Sequence, residues 1–176
     1  IASAWKKRGE LTSNTVVGTK MTNLGMRKAL TDNGMNFIEA DVGDRHVMDH
    51  LIKNKAILGG EGSGHIICLN KSMSGDGIIA ALQILEIVAK SGQSLFNLKS
   101  EMTKYPQVLI NIKTEDKVNL NDSKLLELIG TVESKLNHKG RVLVRKSGTE
   151  PLVRVMVECA DNALATESAK QISEAI

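Results

Sequence analysis

Arg145-Lys146-Ser147-Gly148-Thr149-Glu150-Pro151-Leu152-Val153-Arg154 is the stretch on which the reading of this chain turns. The apolar run Val142-Leu143-Val144 precedes it, and Leu152 to Val157 follows with apolar residues set around Arg154. Two strand-like runs separated by Ser-Gly-Thr-Glu-Pro predict a hairpin or a tight strand–loop–strand. Within the loop, Ser147 and Thr149 bring hydroxyls and Gly148 lets backbone amides turn inward. Arg145 and Arg154 bring planar guanidinium forks. Small residues that bare N–H groups beside arginine make a concavity suited to a phosphate. Taken alone, the same residues also make an ordinary turn with a solvated arginine.

Outward from this loop the pattern is regular. A strand over 107–113, a helix over 122–137, strands over 141–145 and 151–158 and a helix over 162–176 make a βαββα unit. The expected form is an antiparallel sheet covered on one face by two helices. Upstream, residues 94–105 are more polar, hold one helical turn and end at Pro106, so a linker is placed there. The domains are therefore read as 1–100 and 101–176.

In residues 1–100 strands and helices alternate. The end of a helix over 1–8 closes at Gly9, strands are expected over 14–20 and 36–40, and a helix between them ends at Gly34. A second helix runs to about residue 54 with Asp44 as N-cap. A short strand over 56–58 and another over 65–69 flank a glycine-rich loop. Asp76 caps the most apolar helix, 78–89, expected to be the buried one. This alternation implies an α/β layer with at least partly parallel pairing.

The chain has 176 residues, a net charge of +3 and four aromatic side chains (Trp5, Phe37, Phe96, Tyr105). That is enough for one ordinary or two small domains. There is no basic stripe and no stacking set of aromatics, which argues against a nucleic-acid partner. No apolar run in these residues is long enough to cross a membrane, and none of them reads as a signal peptide. Cys68 and Cys159 lie far apart in apolar runs and read as buried free thiols of a reducing, cytoplasmic compartment. The start at Ile1, already helix-like, reads as a piece of something longer.

The loop Gly59-Gly60-Glu61-Gly62-Ser63-Gly64-His65 invites a nucleotide-binding reading, which fails. His65 stands where the Walker lysine would, and the loop leads into a strand, whereas a phosphate-binding glycine loop opens a helix. What remains is a carboxylate, a hydroxyl and an imidazole on flexible backbone. Glu61 can accept from vicinal hydroxyls, Ser63 can donate or accept, and His65 can move a proton near neutral pH. The trio suits a polyol such as a sugar ring; a plain glycine turn with a structural histidine is the bland alternative. His46 and His50 stand at i, i+4 without the partners of a metal site, and His138 carries no motif. Gly43-Asp44-Arg45 reads as a helix cap or as a second basic contact for an anion. Lys6-Lys7-Arg8 reads as a solvated run at a helix end. A sugar-type loop in one domain and a phosphate-type loop in the next point to one phosphosugar in a cleft between domains.

These loops, with Thr15-Val-Val-Gly-Thr, Val42-Gly-Asp-Arg, Ser74-Gly-Asp-Gly and Tyr105-Pro-Gln-Val, resemble the α-D-phosphohexomutase family over essentially the whole chain. The resemblance implies the family's third domain, a partial three-layer mixed-sheet domain without its first strand. The fourth follows it, an α+β domain with a TATA-binding-protein-like fold. It implies that Glu61 and Ser63 hold sugar hydroxyls and that His65 sits at the ring as a proton-transfer group. Arg145, Ser147, Gly148, Thr149 and Arg154 would grip the non-reacting phosphate, with Asp44 and Arg45 lining the same cleft. The family's phosphoserine loop and its Asp-rich Mg2+ loop do not occur in this sequence, so the ligands for magnesium are expected upstream, in N-terminal domains of the same enzyme. This chain alone is expected to bind weakly and to catalyse nothing. A complete enzyme would interconvert glucosamine 6-phosphate and glucosamine 1-phosphate through a phosphoserine, with a hexosamine or glucose 1,6-bisphosphate as activator and room for a homo-oligomer. Gly148 favours the amino sugar over the mannose- and glucose-phosphate branches. A non-catalytic sugar-phosphate-binding module is the reading from another class.

Overall fold

Val16 and Val17 face opposite sides of one strand, and that alternation organises the first half of the molecule. The computed structural model describes residues 1–114, 118–137, 139–148 and 150–176. It divides into one unit, Ile1–Lys104, and a second, Tyr105–Ile176.

In the first unit β1 (Thr15–Thr19) pairs in parallel with β2 (Asn36–Ala40) and β3 (Leu58–Gly60), and β4 (Ile66–Cys68) runs antiparallel to β3. The sheet order is β2-β1-β3-β4. All five residues of β1 are buried, as a central strand covered on both faces requires. On the Val16 side it packs with Trp5 of α1 (Ala2–Lys7), Leu30 of α2 (Leu24–Asp32) and Ile79 of α4 (Gly77–Ser91). On the Val17 side it packs with Val47 and Leu51 of α3 (Asp44–Lys53). This is a three-layer mixed-sheet domain. A short helix α5 (Leu95–Lys99) follows, capped by Ser94. Residues beyond α5 stay with this unit: Lys7 pairs with Glu101, and a Cβ on Gly25 would lie 1.8 Å from the Thr103 carbonyl.

Local chemistry sets the helix ends. Asn23 accepts from the Gly25 N–H to cap α2, and Asp76 accepts from the Ile78 and Ile79 amides to cap α4, as small acceptor side chains do. The Lys6-Lys7-Arg8 run, expected to be solvated, is put to use. Lys6 Nζ donates to the Asn33 and Gly34 carbonyls at 2.6 and 2.8 Å, where a cation suits the carbonyl end of α2, and Arg8 pairs with Glu10.

The expectation that 78–89 is the buried helix is corrected. Within α4 only Ala80 and Ile87 are buried, whereas Ile78, Leu82 and Leu85 are 75%, 55% and 61% exposed. Apolar residues ring this helix, but the sheet covers only one side of it.

The second unit runs β5 (Gln107–Lys113), α6 (Ser123–Leu136), β6 (Gly140–Lys146), β7 (Leu152–Cys159), α7 (Asn162–Ser173), with the antiparallel order β5-β7-β6. Asp122 and Asp161 cap the two helices through pairs of backbone amides. Val155, Val157 and Cys159 of β7 pack with Leu125, Val132 and Leu136 of α6 and Ala165, Ala169 and Ile172 of α7. By the two-residue period of a strand, Arg154, Met156 and Glu158 lie on the opposite face. Both cysteines are free and buried, and burial pushes the Cys68 thiol up, away from its reactive thiolate. Among the described residues no helix is long and apolar enough to cross a membrane.

Candidate functional site

The glycines at 59 and 60 belong to a strand rather than to a flexible loop, which corrects the expected strand at 56–58. A Cβ on Gly59 would come within 2.8 Å of Val47 Cγ1 and 2.9 Å of the Val17 carbonyl, and one on Gly60 within 2.7 Å of the His65 carbonyl. Only bare Cα atoms let α3 and the start of β4 approach β3 this closely. The loop is correspondingly tight. The Glu61 N–H donates to the His65 carbonyl at 2.9 Å and the Gly64 N–H to the Glu61 carbonyl at 3.1 Å, with Gly64 at φ +99°. Ser63 and His65 are exposed on this turn. The imidazole leans over Gly75, where an added Cβ would sit 3.3 Å from His65 Cδ2.

Glu61 is anchored from elsewhere in the chain: its Oε1 accepts the Gly43 N–H at 2.9 Å. Gly43 is the N-cap of α3, not Asp44 as expected. Asp44 is the first helical residue, and its side chain accepts from the adjoining Arg45 N–H at 2.7 Å. The left-handed φ of +129° at position 43 is why glycine takes the cap, since a side chain there would be strained. Asp44 and Arg45 are both exposed.

These groups sit where the parallel strands end, the side of an open α/β sheet on which ligands bind. Sequence reasoning passed over two neighbours at this edge. Lys20, just after β1, pairs with Asp41, just after β2, at 2.5 Å; hydrogen bonding to Lys20 holds the Asp41 carboxyl below its ordinary value. Arg27 stacks over Phe37, pairs with Glu39, and donates to the carbonyls of Thr19, Lys20 and Thr22, so it ties down the turn that follows β1. A charged residue directly after a strand that begins an α/β unit was the available signal for Lys20; Arg27, inside a helix, offered none.

The second locus is the β6–β7 hairpin, closed by the Ser147 N–H donating to the Leu152 carbonyl at 2.9 Å. Register places Arg145 directly opposite Arg154, with Asn111 of β5 on the other side of Arg154. Arg154 also meets Glu150 at 2.9 Å. Among the described residues, the Nε atoms of both arginines are buried without a hydrogen-bond partner. Burial, then the charge of Arg154, lowers the proton affinity of the Arg145 guanidinium. Like charges directly opposite on a sheet repel, and a buried donor left unpaired is costly. An anion set between the two would relieve both. Gly148 faces open space. Thr149 and His138 lie outside the described residues. Among the described residues no group of three or more His, Cys, Asp or Glu is arranged to hold a metal ion, so the described residues do not fit magnesium.

Comparison with known proteins covers both units. Residues 1–105 match the family model for phosphoglucomutase/phosphomannomutase alpha/beta/alpha domain III, and residues 109–175 match the model for the C-terminal domain of the same family. A phosphoglucosamine mutase of Ruthia magnifica subsp. Calyptogena magnifica is 59% identical over 98% of this chain and 40% of its own length. That of Methylococcus capsulatus is 46% identical over 100% and 39%. The chain thus spans about 40% of the length of the curated relatives it matches. Among solved structures, Aspergillus fumigatus N-acetylphosphoglucosamine mutase in complex with GlcNAc-6P and magnesium superposes with a TM-score of 0.81. That match has 19% identity and covers 99% of this chain and 41% of that one.

Proposed function

Because the chain belongs to the phosphoglucomutase/phosphomannomutase family, we propose that it is the ligand-gripping part of a phosphoglucosamine mutase. In this reading the first unit recognises sugar hydroxyls and the second holds the phosphate that is not reacting. The observation that carries it is the Arg145–Arg154 pair, two guanidinium groups held opposite each other, with buried Nε atoms that have no partner among the described residues. That arrangement is costly in an empty sheet and favourable around a phosphate.

Glu61 accepts from ring hydroxyls, Ser63 adds a hydroxyl contact and His65 moves a proton at the ring. Arg145, Ser147, Arg154 and the backbone at Gly148 bind phosphate; the part of Thr149 rests on the family motif alone. Asp44 and Arg45 line the sugar side. The phosphoserine and the magnesium ligands come from N-terminal domains of the longer enzyme. The phosphoserine gives its phosphoryl group to glucosamine 6-phosphate, forming a 1,6-bisphosphate and a free serine hydroxyl. The bisphosphate turns over and its original 6-phosphoryl group returns to the serine, leaving glucosamine 1-phosphate. Because the intermediate binds both ways round, the clamp must recognise phosphate without demanding one ring orientation, which arginines, small hydroxyls and amides do. Remote phosphate binding then helps orient the reacting end. The cytoplasm, where phosphosugars are made, is the compartment this reading implies, and a bisphosphate sugar is the activator.

The test is an assay of the full-length protein with glucosamine, glucose and mannose 1-phosphates in parallel, with magnesium and a bisphosphate primer. Preference for the amino sugar supports the proposal. Preference for glucose or mannose moves the substrate to another branch of the family, and no turnover with any of them supports a binding module.

A further inference from the structure

We propose that Gly43 is the positioning residue for the Glu61 carboxylate, an inference that rests on the reading of Glu61 as a sugar-hydroxyl acceptor. Glu61 stands at the head of an exposed turn, where a glutamate side chain ordinarily samples many rotamers. Here its Oε1 is fixed by the Gly43 N–H at 2.9 Å, while its Oε2 makes no hydrogen bond among the described residues and stays available to a ligand.

Two features make Gly43 suited to this work. Its φ of +129° turns its peptide away from the geometry that any other residue would impose, and that turn aims the N–H across to the β3–β4 loop. Its place as N-cap of α3, a helix without a side-chain cap bond, puts the carboxylate at the positive end of the helix dipole, where an anion is stabilised. One amide thus fixes one carboxylate oxygen and leaves the other to face a ligand. Glu61 in turn supplies the side-chain acceptor for the N-cap amide itself, beside Asp44, which takes the Arg45 N–H, so the α3 N-terminus and the turn after β3 are stapled into one edge.

Gly43→Ala separates this role from simple packing. The added Cβ would sit 3.4 Å from His46 Cδ2, ordinary contact, so the change acts mainly by rotating the peptide and its N–H. In the full-length protein we expect Gly43→Ala and Glu61→Ala each to weaken glucosamine 6-phosphate binding about tenfold, the scale of one hydrogen bond to a charged group, with inorganic phosphate binding within about twofold of wild type. Adding Gly43→Ala to Glu61→Ala should weaken it no further. A loss from Gly43→Ala that is as large in the Glu61→Ala background as in the wild type would overturn the inference, since Gly43 would then act independently of Glu61. So would no loss at all.

A measurement without ligand keeps the test independent of both the fold of that variant and the proposed function. Amide hydrogen exchange at Gly43 should quicken about tenfold in Glu61→Ala, as the loss of a single protecting hydrogen bond implies; unchanged exchange removes the clamp. If the wild type binds glucosamine 6-phosphate no better than inorganic phosphate, the sugar reading fails, and the exchange result alone decides whether Gly43 holds Glu61.

Discussion

Replacing Arg145 with methionine should do two opposite things at once. Methionine keeps an apolar stem of similar length and removes the charge. In the absence of an anion, the Arg145–Arg154 row is a like-charge cross-strand pair, worth about 0.2–1 kcal/mol of destabilisation. Its removal should raise the melting midpoint of the second unit by about 1–8 °C at 4–8 °C per kcal/mol. With phosphate present the sign reverses. A charge-assisted hydrogen bond to phosphate contributes about 1.5–3 kcal/mol, so the variant should bind phosphate roughly tenfold to a hundredfold more weakly. The parent's midpoint should climb with phosphate concentration by linkage, and the variant's curve should stay nearly flat, so that the two cross. The assay follows the Val144 and Val155 methyl signals, which report the second unit, through thermal melts at increasing phosphate with ionic strength held constant by chloride. A variant that melts below the parent without phosphate would show that the arginine pair is not under repulsion. A parent whose midpoint ignores phosphate would show that the pair is not an anion clamp.

Two further outcomes test the packing of the fold. Gly59→Ala forces a Cβ against the Val17 carbonyl and Val47 and should cost about 1–3 kcal/mol in a urea melt, whereas Gly148→Ala, which meets open space, should stay within about 0.5 kcal/mol; equal effects would remove the close-approach account of β3. Glu101 is held below its ordinary value by hydrogen bonding from Ser3 and then Lys7, so its contribution is present above the carboxylate range and is lost as pH falls through the lowered folded value. Glu101→Gln should therefore melt slightly below the parent at pH 7, by the ~0.2–1 kcal/mol of an exposed pair, and match it once both proteins are in strong acid. A gap that persists in acid would mean that the carboxylate's charge is not what matters.

Much of the fold was legible in local pattern. Asp76 announces a helix start and caps one, and Asp122 and Asp161 stand at the starts of the two helices expected after them and cap both. The expected βαββα boundaries at 107–176 fall within a few residues of the elements found. The apolar runs Val142–Val144 and Leu152–Val157 became β6 and β7, with Ser147 to Pro151 between them. Three readings failed for want of the same information. Asp44 has the chemistry of an N-cap, but the left-handed φ at position 43 shifts the cap to glycine. Gly59-Gly60 looks like loop until α3 and β4 are seen to press against it. The apolar helix at 78–89 looks buried until its neighbours are counted on each side.

By itself, then, the sequence determined the periodicities, the Asp76 helix cap, the two chemically loaded loops and the family they belong to, because each depends on residues a few positions apart. Only the tertiary structure decided that Glu61 is held by an amide 18 residues away, and that Arg27 ties down the turn beyond β1. It alone set Arg145 and Arg154 face to face. Those outcomes hang on register and layer packing, where a slip of one residue would turn every side chain of a strand to the other face, and no local pattern carries that choice.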